Sequence, residues 1–312
     1  MIRVARSIAE AAGFSPSALT IGNFDGVHRG HQHLFEELAR AARERGVRPT
    51  ALTFHPHPAC VVAPDRAPRL LTTTEERVAL MGGYGIEQAL ILPFTREVAG
   101  MSPEEFVERV VVHALRAKLV LVGDNFRFGH KQSGDTQLLA VLGGRLGFET
   151  HVAGSVRCRG RVVSSSEVRR LIEQGDVSLA CRLLNRPYAI SGEVVPGHGV
   201  GAKQTVPTLN LRTQAQVLPG RGVYITRTSD GSRWNSITNI GFRPTFGGDS
   251  ELSIETFLLD PPPAEAPRHI RVEFLRRVRD ERKFEKPEAL KAQILRDVAR
   301  AQKFFRLRNS RR

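Results

Sequence analysis

The chain has 312 residues, and its 46 lysines and arginines outnumber its 32 aspartates and glutamates to give a formal net charge of +14. This length exceeds the usual span of one hydrophobic core, so we expect two domains. Three widely spaced cysteines exclude a disulfide framework and are typical of a reducing compartment. No apolar run approaches the ~18 residues of a membrane span, and the N-terminus lacks the apolar stretch of a signal peptide, so we expect a cytoplasmic protein that does not engage a membrane.

The N-terminal part, to about residue 175, alternates apolar strands with amphipathic helices. The apolar run 88–93, the helical segment 103–112 and the apolar run 119–123 follow one another in this way. Such alternation predicts an α/β domain with a parallel sheet.

The C-terminal part has a different pattern between residues 188 and 274. Short β-branched runs such as 192–197 and 221–226 alternate with glycine and proline turns, which predicts a small antiparallel β-barrel. A closing helix is predicted from Pro287, with one apolar stripe that packs against a sheet, formed by Leu290, Ile294, Val298, Ala301 and Phe305. We therefore predict domains at residues 1–185 and 186–312.

Residues 21–33, IGNFDGVHRGHQH, join the apolar run 18–21 to a helical pattern at residues 34–41. Glycines in this connection, Gly22 among them, allow the backbone to approach a ligand closely. The N-terminus of the helix that follows attracts anions. His28 and His31 are three residues apart, so a first helical turn would place both rings on one side, close enough to share a phosphate group.

Two other interpretations apply to these features. A His-x-x-His spacing also occurs in surface turns and metal sites, but the sequence has no C-x-x-C or His-Glu-x-x-His pattern to complete a zinc site. The positive charge and the arginine-rich tail at residues 306–312 suggest nucleic-acid binding. Because the charge is spread through both halves and no nucleic-acid-binding motif accompanies it, we expect no specific nucleic-acid partner, and small polyanionic substrates instead.

The segment GNFDGVHRGH resembles the HxGH phosphate-binding signature of the nucleotidylyltransferase superfamily, in the form carried by bacterial bifunctional riboflavin kinase/FAD synthetases. Four further blocks resemble that family in the same order: TFHPHP at 53–58, LPFT at 92–95, VGDNFRFG at 122–129 and VSSSEVRRLIEQGDV at 163–177. The resemblance implies a Rossmann-like nucleotidylyltransferase domain followed by a riboflavin-kinase barrel. It also implies ATP as co-substrate, with riboflavin and FMN as the flavin substrates.

For adenylyl transfer, the resemblance implies that His28 and His31 are the catalytic donors to the phosphates. No protein nucleophile is needed, because one phosphate attacks the α-phosphorus of ATP directly. Gly22, Asn23 and Asp25 are expected beside the nucleotide, although a helix-capping role for Asp25 is an open alternative.

Two more segments complete this predicted site. The resemblance implies that Ser165, Ser166 and Arg169 bind the β- and γ-phosphates of ATP, with Ser166 in place of the usual threonine. Asn125 and either Phe126 or Phe128 are expected to contact the flavin. They follow a predicted strand, and open α/β sheets bind ligands at the carboxyl ends of their strands. The histidines at 55 and 57 are equally compatible with loop structure and stay outside the catalytic set.

In the barrel, the segment 206–211 resembles the PTxN motif of riboflavin kinases. The resemblance implies that Thr208 and Asn210 hold Mg²⁺ and nucleotide phosphate, and oxygen ligands suit this hard cation. The segments 239–248 and 252–260 also match, and Glu255 stands at the position of the general base that accepts the proton of the ribityl hydroxyl.

The chain departs from the family pattern before this motif, where GRxLGxPTxN is usual. Ala202 replaces the arginine and Thr205 a glycine, with Lys203 a possible substitute for the lost charge. Asn185 is a milder change where glycine is usual. A monofunctional FAD synthetase with an impaired barrel is therefore an alternative. The basic surface leaves an RNA-binding regulator as another, and a transferase for another nucleotide is a third, because HxGH enzymes act on many acceptors. The sequence leaves the oligomeric state open.

Overall fold

The computed structural model describes residues 2–196, 208–244, 250–261, 265, 267–282, 284 and 286–309. By internal contacts the chain divides into two compact units, Met1–Ser165 and Ser166–Arg312. This division falls earlier in the chain than residue 185, and the domain boundary expected there stays a prediction.

The first unit is built on a parallel sheet of six strands in the order β1-β4-β3-β2-β5-β6. The strands are β1 Arg3–Ala5, β2 Ser17–Ile21, β3 Arg48–His55, β4 Gln88–Pro93, β5 Ala117–Gly123 and β6 Glu149–Ala153. Because the strands are parallel, their carboxyl ends share one edge, and the loops after β2, β3, β4 and β5 leave from that edge. The predicted α/β layout is confirmed.

Seven helices accompany this sheet: α1 Ile8–Ala11, α2 Arg29–Glu44, α3 Pro58–Val62, α4 Thr74–Gly83, α5 Arg96–Gly100, α6 Pro103–Phe106, which continues as a π-helix over Val107–Ala114, and α7 Thr136–Leu146. Helix α2 buries Leu34, Phe35, Leu38 and Ala42, at the spacing that puts them on one face. Two hydrophobic clusters result, one containing Phe35 and Leu38 and the other containing Phe14 and Phe106. A short antiparallel hairpin, β7 Arg157–Cys158 and β8 Arg161–Val162, completes the unit.

The second unit contains a closed antiparallel barrel of six strands in the order β10-β13-β12-β11-β14-β9. Helices α8 Ser165–Glu173 and α9 Val177–Leu184 precede it, and the strands are β9 Tyr188–Val195, β10 Leu209–Thr213, β11 Gly222–Ser229, β12 Arg233–Pro244, β13 Ser250–Leu258 and β14 His269–Arg279. The final helix is α10 Pro287–Asn309. The predicted barrel and closing helix are confirmed.

Helix α10 packs on the outside of this barrel. Ala301 and Phe305 are buried in a cluster with Val223, Ile225, Ile237 and Leu275, and Val298 packs against the same cluster. Leu290 is 38% exposed, so the predicted apolar stripe does not extend to the first turn of the helix. Across the described residues we find no helix with the length and apolar composition needed to traverse a bilayer.

The interior of the barrel contains a ladder of hydroxyl groups that the sequence patterns did not predict. Thr226, Thr228, Ser236, Thr238 and Thr256 are each 0% exposed. The Thr226 hydroxyl lies 2.8 Å from that of Ser236 and 2.9 Å from that of Thr238. The ladder continues from Ser236 to Thr228 at 2.8 Å and from Thr238 to Thr256 at 2.9 Å. Hydrogen bonding thus offsets the cost of burying these polar groups.

Candidate active sites

The HxGH segment lies in a tight loop between β2 and α2. Phe24, Gly26 and Val27 all have positive φ, at 50°, 76° and 39°. Phe24 and Val27 are held there by burial, at 2% and 0% exposure. Non-glycine residues rarely adopt this conformation, and such strain persists only where the surrounding packing imposes it. The loop therefore has a fixed shape.

His28 is the N-cap of α2, and its Nδ1 accepts a hydrogen bond from the backbone N–H of His31 at 3.4 Å. Since Nδ1 accepts, the proton of the neutral ring is on Nε2, which can donate to a ligand. The two imidazoles are stacked, with ring centroids 3.7 Å apart and planes inclined by 18°. The two rings lie together at a helix N-terminus, as their spacing predicts.

His31 is the more perturbed of the two histidines. Its Nδ1 is buried and has no hydrogen-bond partner among the described residues. Burial, then the neighbouring His28, then the positive charge of Arg77 hold the pKa of His31 well below its usual value of 6.5. In the absence of an anion the His31 ring is therefore neutral at pH 7, and a bound phosphate would raise its pKa again.

The glycines of the segment make room for its own aromatic rings. A Cβ atom at Gly30 would lie 3.2 Å from Cε1 and Nδ1 of His28. A Cβ at Gly22 would lie 2.9 Å from the ring of Phe24. The described contacts of Gly22 thus explain this glycine by packing, while its expected closeness to a nucleotide stays a prediction.

Asp25 is 3% exposed, and its carboxylate accepts hydrogen bonds from the backbone N–H groups of Leu71 and Thr72 at 2.9 and 3.2 Å. The N-cap of α2 is His28, so Asp25 does not cap that helix. Its carboxylate instead joins the HxGH loop to the segment before α4. Contact between Asp25 and a nucleotide stays a prediction.

Asn23 is tied to its surroundings through both its side chain and its backbone. Its amide lies 3.0 Å from Nε2 of His57, whose Nδ1 accepts the backbone N–H of Ala59. The Asn23 carbonyl accepts from Arg77 at 2.8 Å.

Sequence reasoning missed these contacts of His57 and Arg77. The TFHPHP block drew attention to His57 without giving it a role, and nothing in the sequence around Arg77 distinguishes it from an ordinary charged residue of a helix.

Helix α8 begins at Ser165, within the predicted serine cluster. The Ser165 hydroxyl donates to the backbone carbonyl of Asp25 at 2.8 Å, which connects it to the HxGH loop. Ser166 and Arg169 lie on the first turns of α8, in the second unit, where Ser166 is exposed and Arg169 is half-buried. Binding of ATP phosphates by these three residues stays a prediction.

The predicted flavin contacts follow β5. Asn125 is exposed in this loop. Phe128 is only 7% exposed and packs near Phe106, with ring centroids 6.1 Å apart. The half-buried Phe126 stacks on Phe128 at 5.5 Å. Of the two phenylalanines, Phe126 has the larger surface for a ligand, and Phe128 supports it from the core.

In the barrel, Glu255 on β13 is flanked on both sides by asparagines. Asn210 on β10 and Asn239 on β12 are its direct cross-strand partners. Such partners share a face of the sheet, with Cβ atoms about 5 Å apart. Ser253 lies two residues away on the same face, and its hydroxyl donates to Oε1 of Glu255 at 3.2 Å.

The side chains of Thr208 and Asn210 suit a hard divalent cation. Asn210 supplies an amide oxygen, and Thr208 supplies a hydroxyl from an exposed position just before β10. Both are oxygen ligands of the kind that Mg²⁺ accepts. Glu255 places a carboxylate on the strand next to Asn210. The family departures at Ala202, Lys203 and Thr205 lie outside the described residues.

Comparisons with known proteins cover both units. A family model for FAD synthetase matches residues 11–167, and one for riboflavin kinase matches residues 184–305. A bifunctional riboflavin kinase/FMN adenylyltransferase of Pseudomonas fluorescens is 38% identical over 283 residues, covering 90% of this chain and 91% of that protein. The protein of the same name from Escherichia coli K12 is 38% identical over 292 residues, covering 93% of both chains.

A solved structure has a similar overall architecture. It is a crystal structure described as a macrolide-efflux protein from Streptococcus pneumoniae, with a TM-score of 0.86 and 26% identity over 96% of this chain and 98% of that one. The efflux activity in that description is said of that protein alone. The two family models and the curated relatives agree with one another on a different class, that of transferases. The chain belongs to the bifunctional riboflavin kinase/FMN adenylyltransferase family.

Proposed function

We propose that this chain phosphorylates riboflavin to FMN and adenylylates FMN to FAD, with ATP as co-substrate in both reactions. The observation that carries the proposal is that one chain matches both family models, one over the part with His28 and His31 and the other over the part with Glu255. The alignment with bifunctional relatives over nine-tenths of the chain supports the same assignment.

In the adenylylation reaction, a phosphate oxygen of FMN attacks the α-phosphorus of ATP, and pyrophosphate leaves. His28 donates from Nε2 and His31 from its ring to the phosphate oxygens, whose negative charge grows in the transition state. The first backbone N–H groups of α2 support them. Ser165, Ser166 and Arg169 hold the departing phosphates.

Other residues orient the two substrates in this reaction. Gly22, Asn23 and Asp25 shape the nucleotide side. Asn125 and Phe126, with Phe128 packed behind Phe126, shape the flavin side. Holding both substrates in line contributes to the rate without any covalent intermediate on the protein.

In the kinase reaction, Glu255 accepts the proton of the terminal ribityl hydroxyl as its oxygen attacks the γ-phosphorus, and ADP leaves. Thr208 and Asn210 would hold Mg²⁺, which when bound neutralises charge on the ATP phosphates. Ser253 orients Glu255 through its hydrogen bond, and Asn210 and Asn239 lie opposite Glu255 on the two neighbouring strands.

The substrates in this proposal are small molecules in the cytoplasm: riboflavin, FMN and ATP. We propose no membrane partner and no specific nucleic acid, and oligomerisation is left open. An RNA-binding regulator would instead show salt-dependent RNA binding without flavin turnover.

Two variants, each with a matched control, test whether the two activities belong to separate sites. His28→Asn replaces the helix-capping Nδ1 by an amide oxygen that can also cap, so it removes the imidazole and keeps a cap; it should abolish FAD formation from FMN but leave riboflavin phosphorylation. Glu255→Gln should do the reverse. The exposed His33 on α2 and Glu193 on β9 provide the matched controls His33→Asn and Glu193→Gln, which should change neither activity. Loss of both activities in either folded test variant would contradict two independent sites.

The second candidate function is a monofunctional FAD synthetase whose barrel no longer phosphorylates riboflavin. The replacements Ala202 and Thr205 favour it, because they remove a donor and a glycine beside the PTxN motif. Incubation with riboflavin, ATP and Mg²⁺ separates the two functions: FMN and FAD both form if the chain is bifunctional, whereas a monofunctional chain needs added FMN.

A further inference from the structure

Arg77, on α4, places a buried cation against the HxGH loop. The residue is 2% exposed, and its guanidinium donates to the backbone carbonyl of Asn23 at 2.8 Å and to the hydroxyl of Thr53 at 3.2 Å. Its Nε is buried without a hydrogen-bond partner in the described part of the chain. The side chain therefore keeps unused donor capacity in a site with little water.

Among the described residues, no carboxylate forms a direct ion pair with Arg77. Asp25 and Glu75 act on it through charge alone, and burial, the largest effect, lowers the pKa of Arg77. The carboxylate of Asp25 is already hydrogen-bonded to the Leu71 and Thr72 backbone. A buried ion without a hydrogen-bonded counter-ion costs several kcal/mol, and a neutral donor would satisfy the Asn23 carbonyl at lower cost.

An anion at the HxGH loop would supply the missing negative charge. The loop already offers the N-terminus of α2 and the stacked rings of His28 and His31 to such an anion. Arg77 is near enough to influence His31 electrostatically, since its positive charge lowers the pKa of that ring. A fixed charge in a poorly hydrated position attracts a phosphate more strongly than a solvated surface arginine does.

We infer that Arg77 is a positioning residue for adenylyl transfer, which holds the Asn23 backbone in place and supplies a permanent buried positive charge for substrate phosphates at residues 22–31. This inference rests on the proposed FAD synthesis. It assigns to the reaction a residue outside the HxGH and serine-cluster motifs.

The test compares Arg77→Met, which keeps the length and removes the charge, with Arg77→Lys, which keeps the charge. The matched control is Arg48→Met, because Arg48 is an exposed arginine at the amino end of β3 and its loss changes the net charge equally. Initial rates of FAD formation are measured over ranges of FMN and ATP in the full chain, and riboflavin phosphorylation by the same preparations reports on the second unit.

We expect Arg77→Met to lower kcat/KM for FAD formation at least tenfold, mainly through a higher KM for ATP or FMN. Arg77→Lys and Arg48→Met should stay within threefold of the parent. Equal loss in the Lys and Met variants, or a Met variant within threefold of the parent, would overturn the inference. If the Met variant does not fold, Arg77→Gln, which also removes the charge, takes its place with the same limits. Absence of FAD formation in the parent chain would instead refute the proposed function.

Discussion

Replacing Gly30 by alanine should separate the stability of α2 from the chemistry at its N-terminus. The new Cβ would lie 3.2 Å from Cε1 and Nδ1 of His28 and 3.8 Å from the carbonyl oxygen of Val163. Non-bonded heavy atoms prefer about 3.5 to 4.0 Å, so the imidazole must shift by a few tenths of an ångström. His31 restricts that shift, because its ring is stacked on His28 at 3.7 Å.

The substitution should affect helix stability and reaction rate in opposite directions. Alanine is favoured over glycine in a helix by up to ~1 kcal/mol, so α2 should be no less stable. A misplacement of about 1 Å costs about 100-fold in rate, so a few tenths of an ångström should lower kcat for FAD formation by about four- to tenfold. Riboflavin phosphorylation should not change.

The assay measures FAD formation from FMN and ATP beside thermal unfolding. Gly144→Ala is the matched control, since Gly144 lies within α7 and a Cβ there would meet nothing within 4 Å. This control should gain stability and keep full activity. If Gly30→Ala forms FAD at the parent rate, the position of the His28 ring does not limit the reaction and our reasoning fails.

Two further predictions concern buried polar groups. Folding lowers the pKa of His31, so the unfolded chain binds the proton more tightly than the folded chain does. The free energy of unfolding should therefore decline as the pH falls below 6.5. The total decline should be about 1.4 kcal/mol for each unit by which the folded and unfolded pKa values differ. Calorimetry of the N-terminal transition should show a smaller decline in His31→Gln, and an equal one would contradict this assignment. Thr238→Val should cost about 1 to 3 kcal/mol, because the buried Thr256 hydroxyl loses its partner, whereas Thr228→Val, at the other end of the ladder, should cost less. Urea unfolding followed by fluorescence of the single tryptophan, Trp234, measures both, and equal midpoints would contradict the ladder's importance.

Local sequence patterns were sufficient to predict both folds. The short apolar run before Gly22 predicts β2, and the apolar residues three and four apart after it predict α2. A buried parallel strand and an amphipathic helix each leave a distinct pattern of apolar residues in the sequence. The barrel was visible as β-branched runs between turns. Its hydroxyl ladder was not, because Thr238 and Thr256 have the same β-propensity whether they face solvent or the interior.

The candidate site was predictable where its geometry is local. His28 and His31 meet because a helical turn brings residues three apart together. Arg77 was missed because its burial depends on the packing of α4 beneath a loop more than 45 residues earlier in the chain, which no local pattern reports. The burial of Phe128 likewise depends on Phe106 and could not be read from the VGDNFRFG block alone.

The contacts suggest that the predicted adenylylation residues serve two different purposes. The Asp25 carboxylate accepts a hydrogen bond from the backbone of the loop before α4, and the Ser165 hydroxyl donates one to the backbone of the HxGH loop. His31 and Arg77 each keep a buried nitrogen without a hydrogen-bond partner in the described part of the chain. A buried polar group without a protein partner calls for an explanation, and a bound ion, water or ligand is one of them. Asp25 thus fixes the shape of the loop, while the imidazoles and the buried guanidinium keep polar atoms that a phosphate would satisfy.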